Sequence, residues 1–223
     1  MIPKTIHYCW FGKGKIPEKE LFCIESWKIK MPDYNIKCWD ESNSPLDNDY
    51  VKVMYKRKQW AFVSDYVRLY ALYTEGGIYL DTDMEVLKTL DGFLEYDCFL
   101  GAENNFYASG GIIGATKGHH YIQSCLKEYK YLKSEINIPI ILTKVLNEKG
   151  LKIHESQLIN GVKIFTSEYF YPLPYQEQFN ISMIKEETYT IHHWSKNWDI
   201  SIYRKFLRKV KNLLIRLNKI YRS

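Results

Sequence analysis

"SDYVRLYALYTEGGIYLDTD", residues 64–83, decides how the chain is read. From Ala61 to Glu75 the residues are apolar nearly all round, the composition of a buried helix. The polar residues that interrupt it, Ser64, Asp65 and Arg68, are spaced by one, three and four and so share one side. Gly76-Gly77 supplies a stop. Ile78-Tyr79-Leu80 then reads as an interior strand, and it ends in two carboxylates one residue apart, Asp81 and Asp83. Like charges at the mouth of a buried strand cost free energy unless they are paired or bound to a cation. A bare Asp-x-Asp is also a common turn. The ordered block of helix, glycine stop, strand and acid pair favours oxygen ligation of Mn²⁺ or Mg²⁺, which keep waters and take further ligands from phosphates.

Working outward, "TIHYCW" (5–10) predicts a first strand, followed by a glycine-lysine loop. Residues 17–30 predict a helix, "YNIKCWD" (34–40) a second strand, and "DNDYVKVMYKRK" (47–58) a helix with an acidic start and a basic end. "CFLGAE" (98–103), "GGIIGAT" (110–116), "GVKIFTS" (161–167) and "ETYTIHH" (187–193) predict further strands, and residues 119–132 and 139–149 helices. The alternation implies an α/β fold, with the two acids outside the carboxyl end of a strand, where such sheets bind ligands. "SGGIIGA" (109–115) reads equally as a glycine-permitted approach to a ligand or as a turn between strands. His119-His120 opens a helix and reads as structural.

The block 64–83 resembles the signature of family 32 of the glycosyltransferases, which includes bacterial capsule and exopolysaccharide transferases, fungal mannosyltransferases and the glucosylating domain of large clostridial toxins. The opening "IPKTIHYCWFG" is similar to that family's first strand, and "IHHWSKNW" (191–198) to its closing metal and phosphate segment. Residues 120–185 match no pattern of the family. The resemblance implies a GT-A fold with a mixed sheet flanked by helices, a nucleotide-sugar donor and retention of anomeric configuration. It makes Asp81, Asp83 and Arg68 catalytic. Trp10 would stack on the donor base, Asp65 and Arg68 would hold ribose and sugar hydroxyls, and Tyr79 would line the donor pocket. Asp83 would bind the metal directly and Asp81 through water or by touching the sugar. The third metal position is His192 or His193. His192 stands three residues before Ser195, the spacing of the acid and serine in the toxins, and is favoured. Ser195, Lys196 and Trp198 would complete the donor site. Core packing is the competing use for Trp10, and an intrahelical ion pair for Asp65 and Arg68.

The chain has 223 residues, enough for one domain with a tail. The domain is expected over 1–199 and the tail over 200–223. The tail carries eight Lys or Arg and no acid; of 31 basic residues 23 remain in the body, against 26 acidic ones. Ile202, Phe206, Val210, Leu213, Leu217 and Ile220 recur at intervals of three and four, an amphipathic basic helix that Asp199 can cap. That pattern suits an anionic membrane surface, with packing on the body or pairing into a homodimer as alternatives. The body has no basic surplus, which argues against nucleic acid. Five scattered cysteines read as reduced thiols. The opening lacks the apolar region of a secretory leader and no run reaches about 18 apolar residues. A cytoplasmic enzyme, peripheral at the inner face of the membrane, is expected. Its activity would be metal-dependent transfer of a hexose, from a UDP-sugar before a GDP-sugar, to a glycan or lipid-linked oligosaccharide in capsule, exopolysaccharide or O-antigen synthesis. A metal-dependent nucleotide-sugar hydrolase and a non-enzymatic binding module led by the tail are the rivals.

Overall fold

The computed structural model describes residues 1–132, 134–148, 150, 155–175 and 177–194. Its backbone divides into two units, Met1–His192 and His193–Ser223. In the second, only His193 and Trp194 are among the described residues, so the expected basic helix and its partners lie outside them.

In chain order the first unit contains β1 (Thr5–Cys9), α1 (Glu18–Lys30), β2 (Asn35–Trp39), α2 (Asp49–Lys56), α3 (Trp60–Glu75), β3 (Gly77–Leu80), β4 (Met84–Val86), β5 (Cys98–Ala102) and β6 (Ala108–Ala115). There follow α4 (His120–Glu128), α5 (Ile138–Asn147), β7 (Gln157–Ile159), β8 (Val162–Phe165), α6 (Ser167–Phe170) and β9 (Thr190–His192). Seven strands form one mixed sheet in the order β2-β1-β3-β6-β5-β8-β7, and β4 pairs with β9 in a separate ribbon. β1 runs parallel to β2 and β3, whereas β6 is antiparallel to both β3 and β5. Tyr79, Leu100 and Ile113 turn toward the helices and share a core with Val67, Leu72, Ile122 and Leu142. Phe99 points to the other face, where it meets Phe93, Phe165 and Phe170.

The buried helix α3 has no acid in its first turn and no base in its last. Burial of Val63, Val67, Leu69 and Leu72 stabilises it in place of end charges. It stops at Gly76, with φ of 71°, and Gly77 follows at 111°. A Cβ on Gly77 would lie 2.6 Å from the Thr5 carbonyl and 2.9 Å from His7 Nε2. Only glycine lets the chain turn from α3 into β3 this close to β1.

His7 locks that turn. Its Nε2 donates to the Gly76 carbonyl at 2.7 Å, and its Nδ1 accepts from Trp39 Nε1 at 3.0 Å. Accepting from Trp39 requires the neutral ring, whereas the bond to Gly76 is open to either form. Burial is the main cause that lowers its pKa from 6.5, outweighing the Gly76 carbonyl and Glu75. A depressed histidine pKa contributes stability that is full above the unfolded value and is lost as pH falls through the window down to the folded value. Thermal melts between pH 7 and 5.5 should therefore show the advantage of the wild type over His7→Gln shrinking as pH falls below about 6.5. An advantage that stays constant across that range would mean His7 does not titrate as argued.

Candidate active site

β3 delivers Tyr79 and Asp81 to one face of the sheet, since residues two apart on a strand point the same way. α3 lies over that face and contributes Asp65 and Arg68, both buried. Arg68 Nη2 is 2.8 Å from Asp65 Oδ1, and Nη1 is 3.1 Å from Asp81 Oδ1. Nη1 also donates to the Gly110 carbonyl at 2.7 Å, and the guanidinium sits 4.5 Å from the centre of the Tyr79 ring. The Tyr79 hydroxyl donates to Asp81 Oδ1 at 2.9 Å. Asp65 also accepts the Ile138 N–H at the start of α5. Burial pushes its carboxyl up to about 6, opposed by Arg68 and reinforced by the charge of Asp81. Two carboxylates thus share one guanidinium, so Asp65–Arg68 is not merely a surface pair along a helix.

The second half of the site depends on the ribbon. α1 fixes β4 through two bonds: Trp27 Nε1 donates to the Met84 carbonyl at 2.6 Å, and Val86 N donates to Ser26 Oγ at 2.9 Å. β9 pairs with β4 so that His192 stands opposite Met84, the residue after Asp83. His192 Nε2 consequently lies 3.0 Å from Asp83 Oδ1. Of the two candidate histidines, His192 is therefore the one brought to the acid pair. Its pKa is raised: burial opposes the charged ring, but the charge and hydrogen bond of Asp83 outweigh it. Among the described residues, Asp81, Asp83 and His192 offer ligand atoms that all lie within 4.8 Å of one another.

This donor set fits a divalent cation. Two carboxylates suit Mn²⁺ or Mg²⁺, and an imidazole is more at home on Mn²⁺ than on Mg²⁺. The acids are not equivalent. Asp81 Oδ1 already receives the Tyr79 hydroxyl and faces Arg68, whereas Asp83 faces His192. The geometry therefore favours Asp83 and His192 for direct contact and Asp81 for a less direct one.

Trp10 follows β1 and is half-buried, with Nε1 donating to the Gly14 carbonyl at 2.6 Å. It is not a core residue, and part of it remains open at the same end of the sheet as Asp81. Tyr79, by contrast, is 1% exposed and faces Arg68 and Asp81. Ser195, Lys196 and Trp198 lie outside the described residues. "SGGIIGA" is not a turn: it lies within β6, which includes most of the strand expected over 110–116. A Cβ on Gly110 would come within 3.0 Å of Arg68 Nη1, and one on Gly111 within 3.4 Å of Asp81 Oδ2. His119 is structural, its Nδ1 accepting from Tyr121 N at the start of α4.

Three contributors had no signal in the sequence. The Tyr171 hydroxyl accepts from Ile112 N at 2.7 Å, while its ring packs edge-on to His192 with centroids 5.7 Å apart. Ile138 supplies only its backbone to Asp65. Glu103, just after β5, interacts electrostatically with His192, and burial raises its carboxyl pKa. None stands near a recognisable motif, because each reaches the site through tertiary packing.

Two family models match consecutive stretches of the chain. The "Glycosyltransferase sugar-binding region containing DXD motif" covers residues 17–100, and the "Alpha 1,4-glycosyltransferase conserved region" covers 114–217. The chain is 27% identical over 172 residues to a lactosylceramide 4-alpha-galactosyltransferase of Rattus norvegicus, covering 69% of this chain and 47% of that protein. It is 30% identical over 145 residues to inositol phosphoceramide mannosyltransferase 3 of Schizosaccharomyces pombe, covering 63% and 40% respectively. It thus spans less than half the length of either relative. Among solved structures, the PaToxG glycosyltransferase superposes with a TM-score of 0.53 at 21% identity, covering 66% of this chain and 68% of that one. This likeness concerns the fold.

Proposed function

The chain belongs to the DXD-motif glycosyltransferases, and we propose that it transfers a hexose from a nucleoside diphosphate sugar, UDP-linked before GDP-linked, to a glycan carried on a lipid. The observation that carries this reading is the convergence of Asp83, Asp81 and His192 beside the buried Asp65–Arg68–Tyr79 layer. The names of both relatives specify a ceramide-borne acceptor, which supports a lipid-borne one here.

Breaking the sugar–phosphate bond leaves positive charge on the sugar and negative charge on the diphosphate. Asp83 and His192, with Asp81, would hold the divalent cation, which when bound supplies counter-charge to the leaving group. Asp65 and Arg68 present an acceptor and a planar donor fork suited to sugar hydroxyls. Gly110 and Gly111 leave the space beside β6 to Ile138, Arg68 and Tyr171, so that Arg68 reaches the Gly110 carbonyl. Trp10 offers a flat face for the base. Retention at the anomeric carbon is proposed to follow from front-face attack, the leaving oxygen taking the acceptor's proton as the new bond forms.

A panel of UDP-hexoses and GDP-mannose with Mn²⁺ tests the reading without knowledge of the acceptor. One donor should raise the melting temperature in a cation-dependent way and be hydrolysed slowly. Full-rate hydrolysis that no glycan acceptor diverts would favour the nucleotide-sugar hydrolase instead. No protection by any donor would count against both.

Among the described residues, no helix is long and apolar enough to cross a membrane. The basic amphipathic pattern of 200–223 supports peripheral attachment to an anionic surface. The full chain should sediment with anionic but not neutral vesicles and be released by high salt. Indifference to lipid charge would turn attention to a packing or dimer role for that segment.

A further inference from the structure

We propose that Tyr79 is a positioning residue that sets the acid pair through Asp81, without touching the donor itself. This rests on the reading of Asp81, Asp83 and His192 as a cation site. The resemblance would place Tyr79 in the donor pocket, but three observations direct it elsewhere. The residue is 1% exposed. One face of its ring is covered by the Arg68 guanidinium, 4.5 Å from the ring centre. Its hydroxyl is committed to Asp81 Oδ1 at 2.9 Å.

Asp81 needs such a fixture. It stands one residue beyond the end of β3 with its side chain 25% exposed, although its backbone is held: Asp81 N donates to the Gly111 carbonyl at 2.8 Å and its own carbonyl accepts from Met84 N at 2.9 Å. The backbone bonds leave the direction of the carboxylate to its side-chain partners, Tyr79 and Arg68. The phenol is fixed by the strand two residues earlier and holds Oδ1, while Arg68 Nη1 straddles the carboxylate, 3.1 Å from Oδ1 and 3.3 Å from Oδ2. Together they set the plane of the carboxylate, and with it the direction of the lone pairs left for a cation. Groups that orient a ligand in this way typically change metal affinity about 10- to 100-fold when removed.

The test is a double-mutant cycle on Mn²⁺ affinity, read from the electron paramagnetic resonance signal of free Mn²⁺ at fixed pH. Tyr79→Phe should weaken Mn²⁺ binding about 10-fold. Asp81→Asn should weaken it further, and adding Tyr79→Phe to Asp81→Asn should change little, since the hydroxyl acts through that carboxylate. UDP affinity measured calorimetrically without metal should be the same in Tyr79→Phe as in wild type.

Effects that add fully in the double variant would overturn the proposal. So would wild-type Mn²⁺ affinity in Tyr79→Phe, or a loss of metal-free UDP binding, which would mean that the hydroxyl meets the nucleotide. A wild-type chain that bound no Mn²⁺ would remove the cation site, and this inference with it. A wild type that binds alongside an unaffected Tyr79→Phe would remove the inference alone.

Discussion

Asp83→Ala should reduce sugar transfer by at least about 10³-fold, because several kcal/mol of counter-charge on the departing diphosphate disappear with it. The loss should be chemical and not architectural. Asp83 lies in the connection from β3 to β4, where His192 is one of its partners. The seven-stranded sheet and the α3 core do not rest on it. The melting temperature without metal should therefore fall only slightly, while protection by Mn²⁺ with nucleotide vanishes. Near-normal transfer by Asp83→Ala in the presence of a chelator would defeat the cation reading. His192→Ala should weaken Mn²⁺ binding by a smaller factor, because two carboxylates remain.

Much of this site was legible because its chemistry is local in sequence. Asp65 and Arg68 are three residues apart on one helix, and Tyr79, Asp81 and Asp83 alternate along one strand and its exit. Helical and strand periodicities place such residues without any knowledge of the fold. The glycine pair was legible for the same reason: a helix stop followed at once by a strand needs positive φ, and Gly76 and Gly77 both have it. What spacing could not supply was the antiparallel placement of β6 between β3 and β5. That pairing carries the expected strand at 110–116 back to Ala108 and makes it the one that receives Arg68 through the Gly110 carbonyl. Nor could it supply β4, three residues whose pairing with β9 brings His192 across 109 positions to Asp83. Resemblance pointed to that segment, and the pairing is what brings His192 to Asp83. Tyr171 and Ile138 were invisible altogether. Their contributions are one hydroxyl, one ring edge and one backbone N–H, and only tertiary packing aims these.

Arg68→Lys should lower transfer about 100-fold although the charge is kept, the scale of losing a preorganised donor. The reason lies in how many directions the guanidinium serves at once. Nη2 reaches Asp65, Nη1 reaches both Asp81 and the Gly110 carbonyl, and Nε donates to the Ser64 carbonyl at 3.3 Å. The flat group also lies over the Tyr79 ring. An ammonium has three donors at one point and cannot span Asp65 and β6 together. In Arg68→Lys one buried carboxylate would lose its partner, an expensive state that Asp65 can relieve by taking a proton, its carboxyl being already up at about 6. A protonated Asp65 is a poorer acceptor for sugar hydroxyls. The damage should therefore fall on the sugar half of the donor, and calorimetry can separate the halves. Arg68→Lys should bind free UDP almost as wild type does yet lose affinity for the intact donor. Trp10→Ala should do the reverse, weakening free UDP by about 1–3 kcal/mol, the worth of a base stacked on an aromatic ring. Equal losses for UDP and the intact donor in Arg68→Lys would move Arg68 from the sugar to the nucleotide. Unchanged UDP affinity in Trp10→Ala would leave the base without its platform at the end of β1.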